Sequence, residues 1–383
     1  MALSSCRGCS DGMQRTHLDM GSQPDDHGGG SPPAARWCAV TGGRGFMARH
    51  LVAALLRSGE WRVRVTDLAA AVVPGADETE AVLGDALRDG RAVYATADVC
   101  NLDQLTQAFN GVDVVFHTAA ADPAKNDLKL HHRVNVEGTR NVIDACKICK
   151  VRRLIYTSSS SVVFDGVHGL FNVNESTPYP DKFPDAYAKT KAEAEKLVIK
   201  ANDAIGLLTC CIRPGSIFGP GDVLIPHVDS YGRTQNCDDF IYVDNVVHCH
   251  ICAERTLCTK EGAKTSGGKA YFVTNMEPMN LWDFIYMIQE ELGYKRPLRI
   301  KVPLFVIIPV SYLVQWSYKL LYLSGLRQPQ MVTSARIKYV TLNRTFSCNK
   351  AVEELGYKPN VTLMDGVKIA VKSYSHLKDT YST

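Results

Sequence analysis

The feature of this sequence that most constrains its fold is a glycine-rich turn between an apolar run and a helical pattern. The turn reads Thr41-Gly42-Gly43-Arg44-Gly45-Phe46-Met47-Ala48, and it separates Cys38-Ala39-Val40 from apolar residues that continue with helical spacing through Leu56. In such a setting glycines let the backbone approach the pyrophosphate of a dinucleotide at the N-terminus of the helix. We therefore predict that four residues of the turn bind a cofactor: Gly42, Gly43, Gly45 and Phe46.

An alternation of strands and helices continues after the turn. Apolar runs at Val63–Val65, Val112–His117 and Arg153–Thr157 have the character of buried strands, and a helical pattern extends from Val134 to Cys149. Strands that alternate with helices form parallel sheets that helices cover on both faces. We expect an α/β fold with a Rossmann-type doubly wound parallel sheet and a smaller C-terminal substrate domain.

Three charged residues are candidates for contact with the cofactor, and two of them bear on the choice between NAD and NADP. Asp67 lies 22 residues after Gly45, where its carboxylate can accept hydrogen bonds from the adenosine ribose and repel a 2′-phosphate. This position favours NAD over NADP. Arg44 argues for the opposite choice, because a guanidinium beside the turn could pair with a 2′-phosphate. Asp98 is placed to meet the adenine amine, and a surface carboxylate at a strand end is the alternative.

Tyr187 and Lys191 are the candidate catalytic pair, because they lie one turn apart on one face of a predicted helix. A free phenol is a poor base at neutral pH, but a neighbouring ammonium favours the phenolate. A run of hydroxyl side chains follows the Arg153–Thr157 strand and can reach the tyrosine at the same edge of the sheet. We choose Ser159 from this run as the third catalytic residue, with Ser158 as the second choice.

We expect the chain to have three regions. Residues 1–35 are rich in Gly, Ser, Pro and Asp, and such a segment forms a disordered tail because it cannot offset its ordering entropy. Residues 36–215 form the NAD-binding Rossmann domain. Residues 216–383 form the substrate-binding region, in which we expect a strand at Tyr271–Val273, a helix at Leu281–Leu292 and a membrane-associated segment at 302–323.

Net charge and cysteine spacing give no indication of binding to nucleic acid or to a metal. The formal net charge is +3 without a long basic run, so nothing indicates binding to nucleic acid. The 13 cysteines lack the paired spacing of a zinc site, so we expect reduced thiols facing the cytosol and no bound metal. His248 and Cys252 could present two ligands on one helix face, but a packed helix is the preferred interpretation.

From about Trp37 to about Leu377 the sequence resembles the extended short-chain dehydrogenases/reductases, and within them the 3β-hydroxysteroid dehydrogenase/isomerase family. Besides the turn and the Tyr187/Lys191 pair, the motifs that carry this resemblance are Phe116–Ala120, Asn135–Thr139, Tyr156–Ser159, Arg213–Gly221 and Tyr242–Val246. Three further segments resemble the plant branch that decarboxylates 4α-carboxysterols: Ser161–Gly169, Leu207–Pro214 and Thr274–Pro278. The resemblance implies that Ala119 and Ala120 flank the cofactor, that Asn135 orders the active site, and that the backbone after Pro214 meets the nicotinamide.

The same resemblance implies an oxidoreductase that uses NAD to oxidise the 3β-hydroxyl of a sterol, with decarboxylation of a 4α-carboxysterol in sterol biosynthesis. Three alternatives stay open at this point. One is a 3β-hydroxysteroid dehydrogenase/Δ5-isomerase, and another is a dehydrogenase of a different alcohol, such as a sugar nucleotide or a flavonoid-like ketone. The third is a catalytically silent member, because Val223–Ile241 spans only nineteen residues and the family usually carries a longer segment here.

The stretch from Val302 to Leu323 is long and apolar enough to be considered as a membrane span. Pro309, Gln315 and Lys319 weaken that case, whereas the aromatic residues of the stretch suit a helix at the membrane interface. A buried helix of the substrate region or of a homodimer interface is an equal alternative. Because a sterol partitions into bilayers, we expect association with a membrane surface, and the family resemblance implies the endoplasmic reticulum membrane with the catalytic domain facing the cytosol.

Overall fold

A parallel sheet organises the protein. The computed structural model describes residues 36–72, 74–75, 77–222, 225, 236–294, 313, 316–317 and 334–374. Within these residues the strands are β1 (Arg36–Thr41), β2 (Trp61–Asp67), β3 (Ala92–Thr96), β4 (Val114–His117), β5 (Arg153–Thr157), β6 (Leu170–Val173), β7 (Leu208–Pro214), β8 (Ser216–Phe218), β9 (Cys237–Asp238), β10 (Phe240–Tyr242), β11 (Lys269–Val273), β12 (Met279–Asn280) and β13 (Arg344–Phe346).

Helices connect these strands. In the same described residues they are α1 (Phe46–Arg57), α2 (Glu78–Arg88), α3 (Leu102–Phe109), α4 (Leu128–His131), α5 (Gly138–Ile148), α6 (Ala186–Lys200), α7 (Val243–Leu257), α8 (Lys260–Ser266), α9 (Leu281–Leu292), α10 (Ser334–Thr341), α11 (Asn349–Leu355) and α12 (Leu363–Ser373). A π-helical segment, His132–Glu137, joins α4 to α5, and a 3₁₀ turn, Ser160–Val163, follows β5.

The large sheet has the strand order β11-β7-β5-β4-β1-β2-β3, and all of its neighbouring strands are parallel. The order reverses between β1 and β4, so the chain winds outward in both directions from this point. Ligands bind at such a switch point, outside the carboxyl ends of the strands. The predicted doubly wound parallel sheet is confirmed.

Two apolar clusters cover the two faces of the sheet. Strand β4 shows the alternation directly, because Val114 and Phe116 belong to one cluster and Val115 belongs to the other. The first cluster includes residues of α1 and α7, and the second includes residues of α3, α5 and α6. Burial on both faces explains why central strands of this sheet such as β1 and β4 are mostly apolar.

After β7 several strands have only two or three residues, and the elements of this region do not form a separate sequence-contiguous sheet. The small sheet has the order β12-β9-β13-β6, so it combines β6, from before α6, with strands from much later in the chain. Conversely, a strand from late in the chain joins the large sheet: the predicted strand at Tyr271–Val273 is β11, which forms an edge of that sheet. The predicted helix at Leu281–Leu292 is α9.

Several sequence predictions fall wholly or partly outside the described residues. These are the tail at 1–35, most of Val223–Ile241, and the stretch at 302–323 apart from Leu313, Trp316 and Ser317. In the part of the chain that the structure describes, no helix combines the length and the apolar character that a membrane crossing requires.

A buried ion pair ties α6 to the large sheet. Arg213 of β7 donates from Nη2 to Oε1 of Glu195 at 2.7 Å and from Nε to Oε2 at 2.9 Å. The Tyr179 hydroxyl donates to the same carboxylate at 2.6 Å. Glu195 is fully buried and Arg213 is 4% exposed, so neither charge has water to replace its partner.

We expect the replacement Arg213→Met to lower the free energy of unfolding by about 3–5 kcal/mol, because it leaves the Glu195 carboxylate buried without its ion partner. Chemical denaturation monitored by circular dichroism measures this loss. The matched control is Arg255→Met, which breaks an exposed pair with Glu60 and should cost less than about 1 kcal/mol. Equal losses in the two variants would contradict the argument.

Candidate active site

The glycine-rich turn forms a tight cradle at the end of β1. Gly42 has a φ of +63°, and a Cβ atom there would lie 2.7 Å from the Cα atom of Ala119. A Cβ atom on Gly43 would lie 2.6 Å from Cγ1 of Val65 on β2. Side chains therefore do not fit at either position, and the tight turn expected at Gly42 is present.

The first turn of α1 leaves donors for an anion. Gly45 precedes the helix in an extended conformation and has no side chain with which to cap it. The first N–H groups of a helix need acceptors, and a phosphate at this position supplies them. The cradle and the uncapped helix start thus fit the pyrophosphate of a dinucleotide.

A cavity of about 470 Å³ opens beside the turn at the carboxyl edge of the sheet. The predicted site residues that line it are Gly42, Gly45, Asp67, Asp98, Ala119, Ala120 and Tyr187. The others, which do not line it, are Gly43, Phe46, Ser159, Lys191 and Pro214. Gly43 packs on β2, Phe46 is the first residue of α1, and Pro214 ends β7. The structure thus brings both ends of the predicted site, the turn and the tyrosine, to one cavity.

Asp67 and Arg44 lie together at one end of this cavity. The Asp67 carboxylate accepts hydrogen bonds from the backbone N–H groups of Arg44 at 2.9 Å and of Leu68 at 2.7 Å. The Arg44 guanidinium donates from Nη1 to both carboxylate oxygens of Glu80, at 2.8 and 2.9 Å. The guanidinium that argued for NADP is therefore already paired, and NAD fits this end of the cavity.

Asp98 also lines the cavity, where it is half-buried. Its carboxylate accepts a hydrogen bond from the backbone N–H of Cys100 at 2.8 Å, and its own N–H donates to Gln104 Oε1 at 2.8 Å. These two contacts fix the loop after β3. The position is compatible with the predicted contact to adenine.

Tyr187 lies in the first turn of α6, which Asp185 caps by accepting a hydrogen bond from the N–H of Ala188 at 2.7 Å. Burial raises the pKa of the Tyr187 phenol to about 12, and a hydrogen bond with the Ser159 side chain opposes this rise. Ser159 is held in turn by Ser161, whose hydroxyl lies at 2.8 Å. The hydroxyl of Ser158 is buried without a hydrogen-bond partner, so Ser159 is the serine that contacts the tyrosine.

Lys191 lies one turn further along α6 and is 2% exposed. Its Nζ donates to the carbonyl oxygen of Thr157 at 2.5 Å and lies 4.3 Å from the ring centre of Tyr156. Burial lowers the pKa of the Lys191 ammonium to about 7, although Glu195 opposes this change. The ammonium can therefore gain or lose its proton near neutral pH, and its charged form favours the phenolate of a neighbouring tyrosine.

Asn135 connects the cavity wall to α6. Its Oδ1 accepts a hydrogen bond from the N–H of Ala121 at 2.8 Å, and its Nδ2 donates to Thr190 Oγ1 at 3.0 Å. It lies in the π-helical segment, where its carbonyl oxygen accepts a hydrogen bond from the Thr139 hydroxyl at 2.5 Å. Through these contacts Asn135 can hold the cavity wall and α6 in place, which is the ordering role that the family resemblance implies.

Sequence reasoning missed His117, which links the turn to α5. Its ring nitrogens contact the hydroxyls of Thr41 at 2.7 Å and Thr139 at 2.9 Å. Burial lowers the pKa of the His117 imidazole to about 3, with a smaller contribution from Lys191, so the ring is neutral at ordinary pH. The available signal was a polar residue at the carboxyl end of each of two neighbouring strands, Thr41 and His117.

His248 and Cys252 lie side by side on α7, with Sγ 3.5 Å from Nε2. Among the residues that the structure describes, no group of three or more His, Cys, Asp or Glu side chains could hold a metal ion. The pair is part of the packed helix that covers the sheet.

Comparison with known proteins adds a family to this geometry. The model of the 3-beta hydroxysteroid dehydrogenase/isomerase family matches residues 39–304. The chain is 50% identical to 3beta-hydroxysteroid-dehydrogenase/decarboxylase isoform 1 of Arabidopsis thaliana over 90% of this chain and 80% of that protein. It is 49% identical to isoform 2 of the same plant, of which it spans 62%. It is 35% identical to the human sterol-4-alpha-carboxylate 3-dehydrogenase, decarboxylating, over 90% of each chain.

Solved structures share the fold at lower identity. The UDP-glucuronic acid 4-epimerase of Bacillus cereus, in complex with UDP-glucuronic acid and NAD, superposes with a TM-score of 0.66 at 21% identity, over 90% of this chain and 100% of that one. The dTDP-glucose 4,6-dehydratase DesIV of Streptomyces venezuelae, with NAD bound, gives 0.66 at 19% identity over 90% and 99%. At these identities the likeness concerns the fold alone.

The lowered pKa of Lys191 predicts a pH-dependent difference in stability between the wild type and Lys191→Met. The folded-state pKa of about 7 lies below the ordinary value of 10.5, so the unfolded chain binds more protons between these two values. The free energy of unfolding of the wild type should therefore rise with pH in this window relative to the variant. Below about pH 7 Lys191 is protonated in the folded and the unfolded protein, so the free energy of unfolding is lowered by the full cost of burying its charge.

Denaturant titrations of both proteins between about pH 6 and pH 9 measure this difference, and groups common to both proteins cancel. Lys189→Met is the matched control, because Lys189 is exposed on the same helix. A difference between wild type and Lys191→Met that stays constant over this range would show that the pKa of Lys191 is not lowered.

Proposed function

The chain belongs to the 3-beta hydroxysteroid dehydrogenase/isomerase family, and on that premise we propose that it oxidises the 3β-hydroxyl group of a 4α-carboxysterol with loss of carbon dioxide. The observation that carries the proposal is that Tyr187 lines the cavity that fits NAD, has Ser159 as a hydrogen-bond partner, and lies one turn before the buried Lys191 on α6.

Each of the three side chains has a separate task in this reaction. The Ser159 hydroxyl, which contacts Tyr187, orients the substrate hydroxyl. Tyr187 removes the hydroxyl proton as the C3–H bond breaks, and the Lys191 ammonium favours the phenolate that this step requires. Bound NAD supplies the acceptor for the hydride that leaves C3.

Decarboxylation follows from the chemistry of the oxidised substrate. A ketone at C3 beside a carboxylate at C4 is a β-keto acid, in which the C4–carboxylate bond breaks as its electron pair enters an enolate. Protonation of the enolate at C4 then gives the 3-ketone. One oxidation therefore suffices, and the protein needs no additional catalytic side chain for the loss of carbon dioxide.

We further propose that the enzyme works at a membrane surface, in the endoplasmic reticulum membrane with its catalytic domain facing the cytosol. A sterol partitions into bilayers, so contact with the membrane brings the enzyme to its substrate. Leu313 and Trp316, from the apolar stretch at 302–323, are each 64% exposed. Exposed Trp and Leu side chains of this kind suit the headgroup region of a bilayer.

The catalytic proposal predicts NADH and carbon dioxide from purified protein supplied with NAD and a 4α-carboxy-3β-hydroxysterol. Tyr187→Phe should lower kcat by about 10²–10⁴-fold, because it removes the proton acceptor, while the Kd for NAD stays within about threefold of the wild type. NADH absorbance and trapped carbon dioxide measure the two products.

The matched control is Tyr271→Phe, because the Tyr271 hydroxyl contacts Glu354 at 2.6 Å and is not a lining residue of the cavity; it should keep kcat. Turnover of a 3β-hydroxysterol without the carboxylate at the same rate would favour a simple 3β-hydroxysteroid dehydrogenase. Intact NAD binding with no turnover of either sterol would favour a catalytically silent protein, in keeping with the short Val223–Ile241 segment.

The membrane proposal predicts that the protein floats with phosphatidylcholine vesicles that contain anionic lipid in a density gradient. Trp316→Ser should reduce the bound fraction severalfold, because it removes a large side chain suited to the interface. Trp282→Ser, in which the indole packs against the protein core, is the matched control and should not reduce the bound fraction of folded protein. Flotation that is the same for the wild type and Trp316→Ser would argue against this stretch as the contact.

A further inference from the structure

We infer that Glu80 determines the choice between NAD and NADP by holding Arg44 away from the position of a 2′-phosphate. Glu80 acts through Arg44 and is thus a positioning residue. The inference rests on the cofactor part of the proposed function, and it can be tested by binding alone.

Both carboxylate oxygens of Glu80 already accept hydrogen bonds. Glu80 is 2% exposed on α2, and both of its oxygens accept from Arg44 Nη1 at 2.8 and 2.9 Å. The N–H of Gly75 donates to it at 3.2 Å, and Arg49 Nη1 lies at 3.5 Å. The pair with Arg44 is thus anchored from several sides, and moving the guanidinium would leave a buried carboxylate with fewer partners.

Arg44 is the residue for which this restraint matters. Its backbone N–H donates to the Asp67 carboxylate, so its side chain starts beside the predicted ribose position. Arg44, Asp67 and Leu68 all line the cavity at this end. A guanidinium binds a phosphate strongly through charge-assisted hydrogen bonds when it is free to do so.

The charges at this end of the cavity then favour NAD for two reasons. The Asp67 carboxylate repels the 2′-phosphate of NADP. The positive charge of Arg44 is neutralised by Glu80, so it does not offset that repulsion. Loss of the Glu80 charge should release the guanidinium toward a 2′-phosphate and leave Asp67 in place for the ribose of NAD.

Calorimetric Kd values for NAD and NADP test the inference on the wild type, Glu80→Gln and the double variant Arg44→Ala/Glu80→Gln. We expect Glu80→Gln to tighten NADP binding by about tenfold, as one charge-assisted pair would. The double variant should lose this gain. Glu78→Gln is the matched control, because Glu78 lies on the same helix but pairs with exposed Arg57, and it should leave both Kd values unchanged.

A purely structural role for Glu80 would change both Kd values together, and this result, or an unchanged ratio in folded Glu80→Gln, would overturn the inference. If Glu80→Gln does not fold by circular dichroism, Arg44→Ala decides the question. We expect Arg44→Ala to leave the ratio of the two Kd values within about threefold, since a sequestered guanidinium contributes little to NADP binding. A tenfold weakening of NADP binding alone would show that Arg44 is free and would overturn the inference.

These outcomes are separate from those of the sterol assay. A wild type that binds NAD but does not oxidise a sterol would contradict the proposed reaction and leave the measured Kd ratios to decide the role of Glu80. A wild type that binds neither dinucleotide would overturn the role of Glu80 together with the cofactor.

Discussion

The candidate active site depends on how helix α6 is fixed to the carboxyl ends of two parallel strands. Lys191 contacts the last carbonyl of β5, and Glu195, one turn further along α6, is paired with Arg213 near the end of β7. These two buried contacts orient the helix, so its first turn brings Tyr187 to the segment that follows β5. Ser159 lies in that segment and needs no other element to reach the tyrosine.

Burial acts on the two titratable members of this site in the same direction, toward the neutral form. It lowers the pKa of the Lys191 ammonium to about 7 and raises that of the Tyr187 phenol to about 12. Near neutral pH the Tyr187 phenol is therefore protonated and Lys191 is only partly charged, so the phenolate needs further stabilisation. Any positive charge that enters the cavity beside the phenol favours the phenolate, so the basicity of Tyr187 is coupled to what occupies the cavity.

The sequence predicted those parts of the protein in which local pattern decides the structure. The glycine turn, Asp67 at the end of β2, and the Tyr187/Lys191 spacing on α6 each lie within one strand–turn–helix unit, and all are found there. Contacts between distant segments had no such signal. Strand β13 pairs with β6 through Arg344 and Leu170, and strands this short carry no detectable period. The pairing of Arg44 with Glu80 depends on how α2 packs beside α1. Because of this pairing, the arginine that the sequence offered as an argument for NADP no longer supports NADP.

The same pairing bears on the substrate class, because a sugar nucleotide was a rival that the sequence left open. A sugar nucleotide brings a diphosphate of its own, which needs basic side chains in addition to the turn that fits the cofactor. Among the described residues that line the cavity, Arg44 is the one basic side chain, and Glu80 already neutralises it. The wall between the turn and Tyr187 is instead mostly small and apolar, with Ala119, Ala120, Ala121, Pro123 and Val134. Such a wall offers van der Waals contact to the cofactor that the cavity fits, and among the described lining residues there is no second basic side chain for another diphosphate.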